Sequence, residues 1–258
     1  MAASARSFVL RHARLRPIPG LDDIRLHLAE EVFPLWHAVQ LETGDPDAAL
    51  PYWAFAWGGG LAIAHYLRDH PGAVAGRRVF DLASGSGLCA IAALRAGAAT
   101  AIGADIDAFA AAAIRLNARA NGVRAAVVSR DVLDEAPPDV DVILAGDVCY
   151  EAGLAERAIP WLRRAQSAGI DVLLGDPGRR YLPTDELVEL ACYDVRTTTE
   201  LEDLERKQGW VYSLALRPTA GRRAAAGPRS RGESSTPRRR DSGSRRSRGG
   251  SRARGTGR

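Results

Sequence analysis

A loop of small residues follows the apolar run at positions 79–82 and could hold a nucleotide-like ligand. Its sequence is Ser84-Gly85-Ser86-Gly87, and a helix-like stretch follows at once. Glycine and serine let the backbone approach a ligand closely, and the N-terminus of the next helix adds N–H donors. Asp81 lies inside the apolar run, just ahead of the loop. Such loops also occur as plain strand-to-helix turns. The spacing of nearby acidic residues is therefore needed to distinguish a ligand-binding loop from a plain turn.

Acidic residues follow the next two apolar runs, at positions where a nucleoside could be bound. Asp105 stands 24 residues after Asp81, at the expected tip of the neighbouring strand. A carboxylate there can accept hydrogen bonds from both hydroxyls of a ribose. Asp131 follows the third run, where it could accept a hydrogen bond from an adenine amine. Both residues could instead cap helices or stabilise loops, because aspartate is favoured at such positions.

The pattern Gly85-x-Gly87-x-x-Ala90 also fits the dinucleotide fingerprint, so two ligands must be compared. The position of Asp81 argues against a dinucleotide, because a carboxylate ahead of the glycines would face an anionic pyrophosphate. A carboxylate there suits a ligand that carries positive charge, such as the amino group of S-adenosylmethionine. We therefore predict S-adenosylmethionine as the cofactor and keep a NAD-dependent oxidoreductase as a remote alternative.

The fourth apolar run ends in Gly146-Asp147-Val148-Cys149-Tyr150. Ligands of doubly wound sheets bind beyond the carboxyl ends of the strands, so Asp147 and Tyr150 should stand beside the reactive end of the cofactor. A carboxylate and a phenol at this spacing can bind an incoming amine. Alternatively, the aspartate could stabilise a loop and the tyrosine could pack in the core. The fifth run ends in Gly175-Asp176-Pro177-Gly178-Arg179, which either shapes the same pocket or forms a turn whose arginine pairs with a nearby acid.

The elements that must position these residues alternate between strand-like and helix-like segments. The helix-like segments 88–96 and 108–120 end near glycine, as helices often do. This alternation predicts a Rossmann-like α/β fold with a parallel, doubly wound sheet. Two last strands, Tyr193–Thr199 and Trp210–Leu216, should form an antiparallel hairpin that closes a seven-stranded sheet. The five preceding strands are predicted at Val79–Ala83, Thr100–Ala104, Ala125–Val128, Val140–Ala145 and Val172–Leu174.

The segment before the sheet carries weaker signals. Phe8-Val9-Leu10 suggests a short strand. Apolar residues at helical spacing predict a helix over Asp22–Val32, which Pro34 should end. Residues 51–60 then gather four aromatic residues and three glycines, and Leu61–Leu67 resumes a helical pattern.

The net charge of +4 conceals a division of the 258-residue chain. Residues 217–258 contain 14 arginines and two acidic residues, a net charge of +12, which leaves −8 on residues 1–216. We predict a helical and aromatic-rich cap at 1–76, a cofactor-binding core at 77–216 in the same domain, and a disordered basic tail at 217–258. The tail could bind nucleic acid through phosphate contacts, but a solvated extension is the preferred interpretation.

The composition excludes several classes of protein. No apolar run approaches the roughly 18 residues of a membrane span, so we expect no membrane association. All five histidines precede Ser84 and Ser86, which is the wrong order for a serine hydrolase of the α/β type. The histidine spacing gives no metal site, and the three scattered cysteines fit reduced thiols in a cytoplasmic protein. A monomer is the default expectation.

Together these motifs resemble the seven-β-strand S-adenosylmethionine-dependent methyltransferases. Within them the chain is similar to the electron-transfer flavoprotein β-subunit lysine methyltransferases and their bacterial nicotinamide N-methylase-like relatives. The resemblance extends from about Phe8 to Leu216, and Ala83 departs from it because the family loop usually has its first glycine there. It rests on these segments: Pro51–Gly59, Asp81–Gly87, Asp105-Ile106-Asp107, Leu116-Asn117, Gly146–Tyr150 and Gly175–Arg179.

The resemblance implies an N-methyltransferase of protein lysine, with the electron-transfer flavoprotein β subunit as the expected partner. An N-methyltransferase of nicotinamide-like small molecules is the alternative. Asp147 and Tyr150 match the family's Asp-x-x-Tyr substrate motif. Because a carboxylate favours the ammonium form of an amine, Asp147 should capture and orient the acceptor while the proton leaves to water. The expected cofactor-binding residues are Trp57, Asp81, Ser84, Gly85, Gly87, Asp105, Ile106, Asp131 and Gly146.

Overall fold

The computed structural model describes residues 2–197 and 206–215. They belong to a unit that spans Met1–Leu216, and the tail predicted at 217–258 lies outside the described residues. The helices of the described chain are α1 (Ala2–His12), α2 (Val32–Thr43), α3 (Gly58–Asp69), α4 (Leu88–Arg95), α5 (Ala108–Ala120) and α6 (Ala152–Ser167). Its strands are β1 (Arg14–Ile18), β2 (Leu21–Leu28), β3 (Arg78–Leu82), β4 (Thr100–Asp105), β5 (Ala126–Ser129), β6 (Val142–Gly146), β7 (Asp171–Asp176), β8 (Leu187–Arg196) and β9 (Arg206–Leu214).

Seven of these strands form one sheet in the order β5-β4-β3-β6-β7-β9-β8. Strands β3 to β7 run parallel, and β9 pairs antiparallel with both β7 and β8. This confirms the predicted α/β fold with a C-terminal hairpin, although the hairpin strands begin earlier than predicted. The strand order reverses between β3 and β6, which pair directly. Ligands of such sheets bind at the carboxyl ends of the strands beside this switch point.

The central strands are apolar on both faces because helices cover both sides of the sheet. On β3, Val79 packs with residues of α3 and α4, whereas Phe80 points to the opposite side. There its ring lies 6.0 Å from that of Trp161, a fully buried residue of α6. Alternate side chains of one strand therefore join two separate cores, which holds the strand end and the loop after it in a fixed place.

Helix α5 has the bounds that the sequence predicts. The Asp107 carboxylate accepts the N–H of Phe109 at 2.7 Å and so caps the helix at its start. The chain leaves the helix at Asn121, and Gly122 follows with a φ of 70°. Glycine adopts this left-handed conformation without steric cost, which explains why the helix ends there.

The prediction of a helix over Asp22–Val32 is wrong. Leu21–Leu28 is strand β2, paired antiparallel with β1. Ile24 and Leu26 are buried while Arg25 between them is exposed, which is the alternation of a strand. Leucine and isoleucine at these positions satisfy the spacing of a helix as well as that of a strand. The pattern alone therefore could not distinguish a helix from a strand.

Contacts from helix α5 favour the strand. The side-chain oxygen of Asn117 accepts the backbone N–H of His27 at 2.7 Å, and that of Asn121 accepts the N–H of Arg25 at 2.9 Å. Asn117 also donates to the carbonyl oxygen of Ser86 at 2.8 Å, although it is fully buried. A single amide thus joins β2 to the loop after β3.

The two other predictions for this region are also wrong. Phe8-Val9-Leu10 lies in helix α1, where Phe8 is buried with its ring 4.6 Å from that of Phe109. Pro34 does not end a helix but occupies the first turn of α2. The first four N–H groups of a helix have no partner within it, so a proline there removes no hydrogen bond.

Candidate active site

The loop after β3 is folded around the carboxylate of Asp81. Its Oδ2 accepts hydrogen bonds from the Ser84 hydroxyl at 2.5 Å and from the Ala90 N–H at 3.0 Å. The residue is only 1% exposed, and burial raises its pKa to about 7. The structure therefore places Asp81 and Ser84 beneath the loop, inside its own hydrogen-bond framework.

Three residues of this loop have a left-handed backbone. The φ angles are 52° at Ala83, 53° at Gly85 and 84° at Gly87. The glycines adopt this conformation freely, whereas an alanine there costs roughly 1–2 kcal/mol. A side chain at Gly87 would also place its Cβ 3.3 Å from Cα of Ile114. The loop therefore needs small residues, and Ala83 is tolerated under strain.

Asp105 stands at the tip of β4, directly beside this loop. Its Oδ2 accepts the N–H of Gly85 at 2.8 Å and its Oδ1 accepts that of Asp107 at 2.9 Å. Burial raises the pKa of Asp105. A carboxylate can accept about four hydrogen bonds, so Asp105 retains capacity for ligand hydroxyls. The next residue, Ile106, exposes 74% of its surface, and this bare apolar side chain offers a face for a planar base.

Asp131 lies further along the same edge, after β5, and is exposed. Its Oδ1 accepts the N–H of Leu133 at 3.0 Å, and its Oδ2 pairs with Arg157 at 2.8 Å. These contacts lower the pKa of Asp131, the Leu133 N–H first. The geometry gives Asp131 a loop-stabilising role, and its contact with a cofactor stays a prediction.

Asp147 follows β6 and lies at the N-terminus of helix α3. Its Oδ2 accepts the backbone N–H of Gly60 at 2.8 Å, and its Oδ1 pairs with Nη2 of Arg179 at 3.0 Å. Its side chain is 11% exposed, and burial raises its pKa although Arg179 acts in the opposite direction. The backbone of Asp147 has a φ of 58°, a strained conformation of the kind that often occurs at functional sites.

Glycines bring helix α3 this close to the strand ends. A Cβ on Gly59 would lie 2.2 Å from the carbonyl oxygen of Gly175 and 2.8 Å from the nitrogen of Asp147. A Cβ on Gly146 would lie 3.0 Å from Cα of Gly60. A Cβ on Gly60 itself would meet its nearest neighbours at 3.7–3.9 Å, an ordinary contact distance. The site therefore requires glycine at 59, 146 and 175, but not at 60.

The turn after β7 holds Arg179 against Asp147. Oδ1 of Asp176 accepts the N–H groups of Gly178 at 2.8 Å and of Arg179 at 2.6 Å. Asp176 is fully buried, its Oδ2 has no hydrogen-bond partner within the described chain, and burial raises its pKa to about 6. The guanidinium of Arg179 lies over the Trp57 ring, 5.7 Å from its centroid. The sequence left open whether this segment shapes the pocket or pairs its arginine with an acid, and the structure shows the ion pair.

Aromatic rings form a wall beside this ion pair. The ring of Tyr52 lies 4.8 Å from that of Tyr150 and 5.5 Å from that of Trp57. The indole N–H of Trp57 donates to the carbonyl oxygen of Tyr52 at 2.8 Å, which fixes the ring. Burial raises the pKa of both phenols, so Tyr52 and Tyr150 are neutral hydrogen-bonding groups at physiological pH.

The loop after β3 and the aromatic wall are neighbours. A Cβ on Gly85 would lie 3.9 Å from the carbonyl oxygen of Tyr52. The buried Cys89 thiol has a raised pKa, chiefly through burial and then through the charges of Asp81 and Asp147. The structure therefore brings all the predicted site residues except Asp131 to one region. Sequence reasoning missed Tyr52 in the wall and did not identify Asp147 as the acid that pairs with Arg179.

Two kinds of feature are not found in the part of the chain that the structure describes. Residues 2–197 and 206–215 contain no group of three or more His, Cys, Asp or Glu side chains that could hold a metal ion. None of the helices in these ranges is both long and apolar enough to cross a membrane.

Comparisons with known proteins agree on methyl transfer. A family model described as ribosomal protein L11 methyltransferase (PrmA) matches residues 69–148. An electron transfer flavoprotein beta subunit lysine methyltransferase from Xenopus laevis is 34% identical over 221 residues, which cover 83% of this chain and 88% of that protein. The protein of the same name from Mus musculus is 42% identical over 159 residues, which cover 59% of this chain and 62% of the mouse protein.

The fold is also found among solved structures. A proposed RNA methyltransferase from Pyrococcus horikoshii has a TM-score of 0.50 and 17% sequence identity to this chain. The similarity covers 66% of this chain and 91% of that protein. At this level of identity the similarity shows a shared fold alone.

Proposed function

Because the chain belongs to the family of the electron transfer flavoprotein beta subunit lysine methyltransferases, we propose that it methylates lysine side chains of that flavoprotein subunit. The protein is a methyltransferase, and its methyl donor is S-adenosylmethionine. This excludes the alternative of a NAD-dependent oxidoreductase. The observation that carries the proposal is the 34% identity to the frog enzyme, which extends over 83% of this chain.

We assign the binding of the methyl donor to the loop after β3 and to the tip of β4. The left-handed backbone at Gly85 and Gly87 allows close approach of a ligand, and Asp105 keeps acceptor capacity for ribose hydroxyls. The exposed side chain of Ile106 would pack against the adenine. When bound, the donor supplies an electrophilic methyl carbon. The other residues that we propose to contact or support it are Trp57, Asp81, Ser84, Asp131 and Gly146.

The acceptor lysine would enter along the aromatic wall. The rings of Tyr52, Trp57 and Tyr150 can pack against its alkyl chain, and the Asp147 carboxylate and Tyr150 hydroxyl can orient its nitrogen. Holding two reactants in the correct geometry can supply roughly 7–11 kcal/mol of the barrier reduction. Asp147 and Tyr150 are therefore the proposed catalytic residues, and their contribution is orientation.

A nicotinamide-like acceptor is the second candidate, because a flat ring can stack on the same aromatic wall. The carboxylate of Asp147 argues against it. The nitrogen of a pyridine carries a lone pair and no proton, so it has no N–H group to donate to the carboxylate. A primary amine instead has N–H groups to donate to Asp147, which favours lysine.

The test is transfer of labelled methyl groups from S-adenosylmethionine by the purified chain. The acceptors are the electron transfer flavoprotein beta subunit, the same subunit with acetylated lysines, and nicotinamide. We expect label in the untreated subunit alone. Label in nicotinamide but not in the subunit would overturn the proposal. A cell lysate separated by size after labelling would reveal any other protein acceptor as a distinct band.

A further inference from the structure

Asp147 already has hydrogen-bond partners at both carboxylate oxygens. The backbone N–H of Gly60 donates to Oδ2 at 2.8 Å, and Arg179 donates to Oδ1 at 3.0 Å. An unpaired carboxylate beside a lysine nitrogen would stabilise the ammonium form, which has no lone pair and cannot accept a methyl group. A carboxylate paired with a guanidinium stabilises the ammonium form much less. The ion pair therefore bears on whether the acceptor is reactive.

Arg179 is held in this position by Asp176 and by Trp57. The buried carboxylate of Asp176 fixes its backbone through hydrogen bonds to Gly178 and Arg179 at 2.8 and 2.6 Å. Its guanidinium lies 5.7 Å from the centroid of the Trp57 ring, a distance suited to a cation–π contact. Its side chain is 23% exposed, so its charge is only partly screened by water. A surface arginine with a merely solvating role would not need this support.

The charged and titratable groups around Asp147 come from several elements. Asp176 belongs to β7, and Cys89 lies in α4. Cys149, Tyr150 and Glu151 follow β6, and Tyr52 belongs to the wall. Burial raises the pKa of both thiols and both phenols above their ordinary values, so these four groups carry no charge at neutral pH. The charge near the acceptor is thus set by Asp147, Asp176, Glu151 and Arg179, together with Asp81 beside Cys89 and Asp105 beside Tyr150.

We propose that Arg179 is a positioning residue that acts through Asp147: it pairs with this carboxylate so that Asp147 orients the acceptor amine without holding it in its protonated form. The ammonium gives its proton to water. The nitrogen lone pair then forms the N–C bond as the C–S bond of the sulfonium breaks, and the positive charge passes from sulfur to nitrogen. This inference rests on the proposed methylation of an amine.

The experiment compares pH–rate profiles of Arg179→Met, Arg179→Lys and the wild-type chain with the flavoprotein subunit as acceptor. Methionine keeps much of the bulk without the charge. Removing a neighbouring positive charge typically shifts a pKa by one unit or more, so the alkaline rise in kcat should move up by about one pH unit in Arg179→Met. At neutral pH kcat should fall about tenfold, and activity should recover at high pH. Arg179→Lys, which keeps the charge, should lie between the two.

Arg180→Met is the matched control, because Arg180 is adjacent and exposed and its guanidinium lies over Tyr181. Its profile should coincide with the wild type. Circular dichroism and S-adenosylmethionine affinity of Arg179→Met must match the wild type, since a folding defect would lower both. A loss of kcat that is equal at every pH would show a structural role and overturn the proposal. A lower KM with an unchanged profile would show that Arg179 competes with the substrate, and would also overturn it.

The experiment distinguishes a failure of this inference from a failure of the proposed substrate. If only a small primary amine takes label, the flavoprotein proposal fails, but the same pH comparison on that amine still decides the role of Arg179. If the acceptor is a pyridine, which has no proton to lose, the profile cannot shift and the inference fails.

Discussion

Oδ2 of Asp147 lies 2.8 Å from the backbone nitrogen of Gly60, 87 positions earlier in the chain. The carboxylate that faces the proposed acceptor also caps the first turn of helix α3. The positive end of a helix stabilises a negative charge, which helps to keep Asp147 ionised although burial raises its pKa. A substitution at this residue therefore affects both the chemistry and the fit of the helix, and the choice of variant matters.

We predict that Asp147→Asn loses most methyl transfer while binding S-adenosylmethionine with nearly unchanged affinity. Asparagine keeps an oxygen for the Gly60 N–H but loses the charge that pairs with Arg179 and orients the acceptor. Misplacement of the reacting nitrogen can reduce the rate about 100-fold. Turnover is measured with labelled donor and affinity by calorimetry, with the exposed Asp139→Asn as a control. The assignment is wrong if affinity falls as much as turnover.

Asp105→Ala should show the opposite defect, with weak cofactor binding as its main consequence. The substitution removes the acceptor for ribose hydroxyls and leaves the Gly85 N–H without its partner. A hydrogen bond to a charged group contributes about 1.5–3 kcal/mol, so the Kd should rise roughly 10- to 100-fold. Calorimetric titration with S-adenosylmethionine measures this.

Asp107→Ala provides the matched control for Asp105. It removes the cap of helix α5, which accepts the Phe109 N–H at 2.7 Å, and should cost about 1 kcal/mol of stability. Cofactor affinity should stay close to the wild-type value. A similar loss of affinity in both variants would mean that Asp105 acts by shaping the strand tip.

The pH dependence of stability should reveal the buried Asp81. Burial raises its pKa from 3.8 to about 7, so at intermediate pH the folded protein holds a proton that the unfolded chain has released. The stabilising contribution of the protonated form is complete below the unfolded pKa and is lost as the pH rises through the folded pKa. Asp81→Asn cannot ionise. Its Tm relative to the wild type should therefore increase by about 5 °C between about pH 5 and about pH 8.5.

Thermal unfolding of the cofactor-free proteins at these two pH values measures the effect. The other buried carboxylates are present in both proteins, and their contributions cancel in the difference. An equal Tm difference at the two pH values would contradict the raised pKa.

Deletion of residues 217–258 should leave methyl transfer unchanged. The predicted site residues all lie before this segment, within the unit that ends at Leu216. The comparison uses kcat/KM of the full and shortened chains with the same protein acceptor. A large loss of activity would show that the 14 arginines of the tail take part in substrate binding.

The sequence predicted the core of the fold well and the N-terminal segment poorly, for one physical reason. Strand β3 and helix α5 are defined by local signals, namely a continuous apolar run and an aspartate cap with a following glycine. Strand β2 is defined by long-range contacts instead, since its N–H groups bond to Asn117 and Asn121. No local pattern in positions 22–32 reports those contacts.

The site residues also divide into those that local sequence signals predict and those that depend on long-range contacts. The types and spacing of Asp105 and Asp147 led to their positions at the ends of β4 and β6, the two strands that flank β3. The partner of Asp147 could not be predicted, because Arg179 lies 32 positions later and reaches it through a turn that Asp176 fixes. Such a pair depends on how two loops pack, which one sequence does not reveal.

The glycines at the start of helix α3 also determine which substitutions would move the helix away from the strand ends. At Gly59 even a methyl group would collide with the backbone of Gly175, so that position cannot be changed without moving the helix. At Gly60 a methyl group would rest at 3.9 Å from the Asp147 carboxylate and fit. Alanine at position 60 would place its methyl group against helix α4, 3.7 Å from Sγ of Cys89 and 3.8 Å from Cδ2 of Leu88. This one position therefore offers a way to stabilise the protein by reducing the backbone entropy of the unfolded chain, without displacing the hydrogen bond from the N–H of position 60 to Asp147.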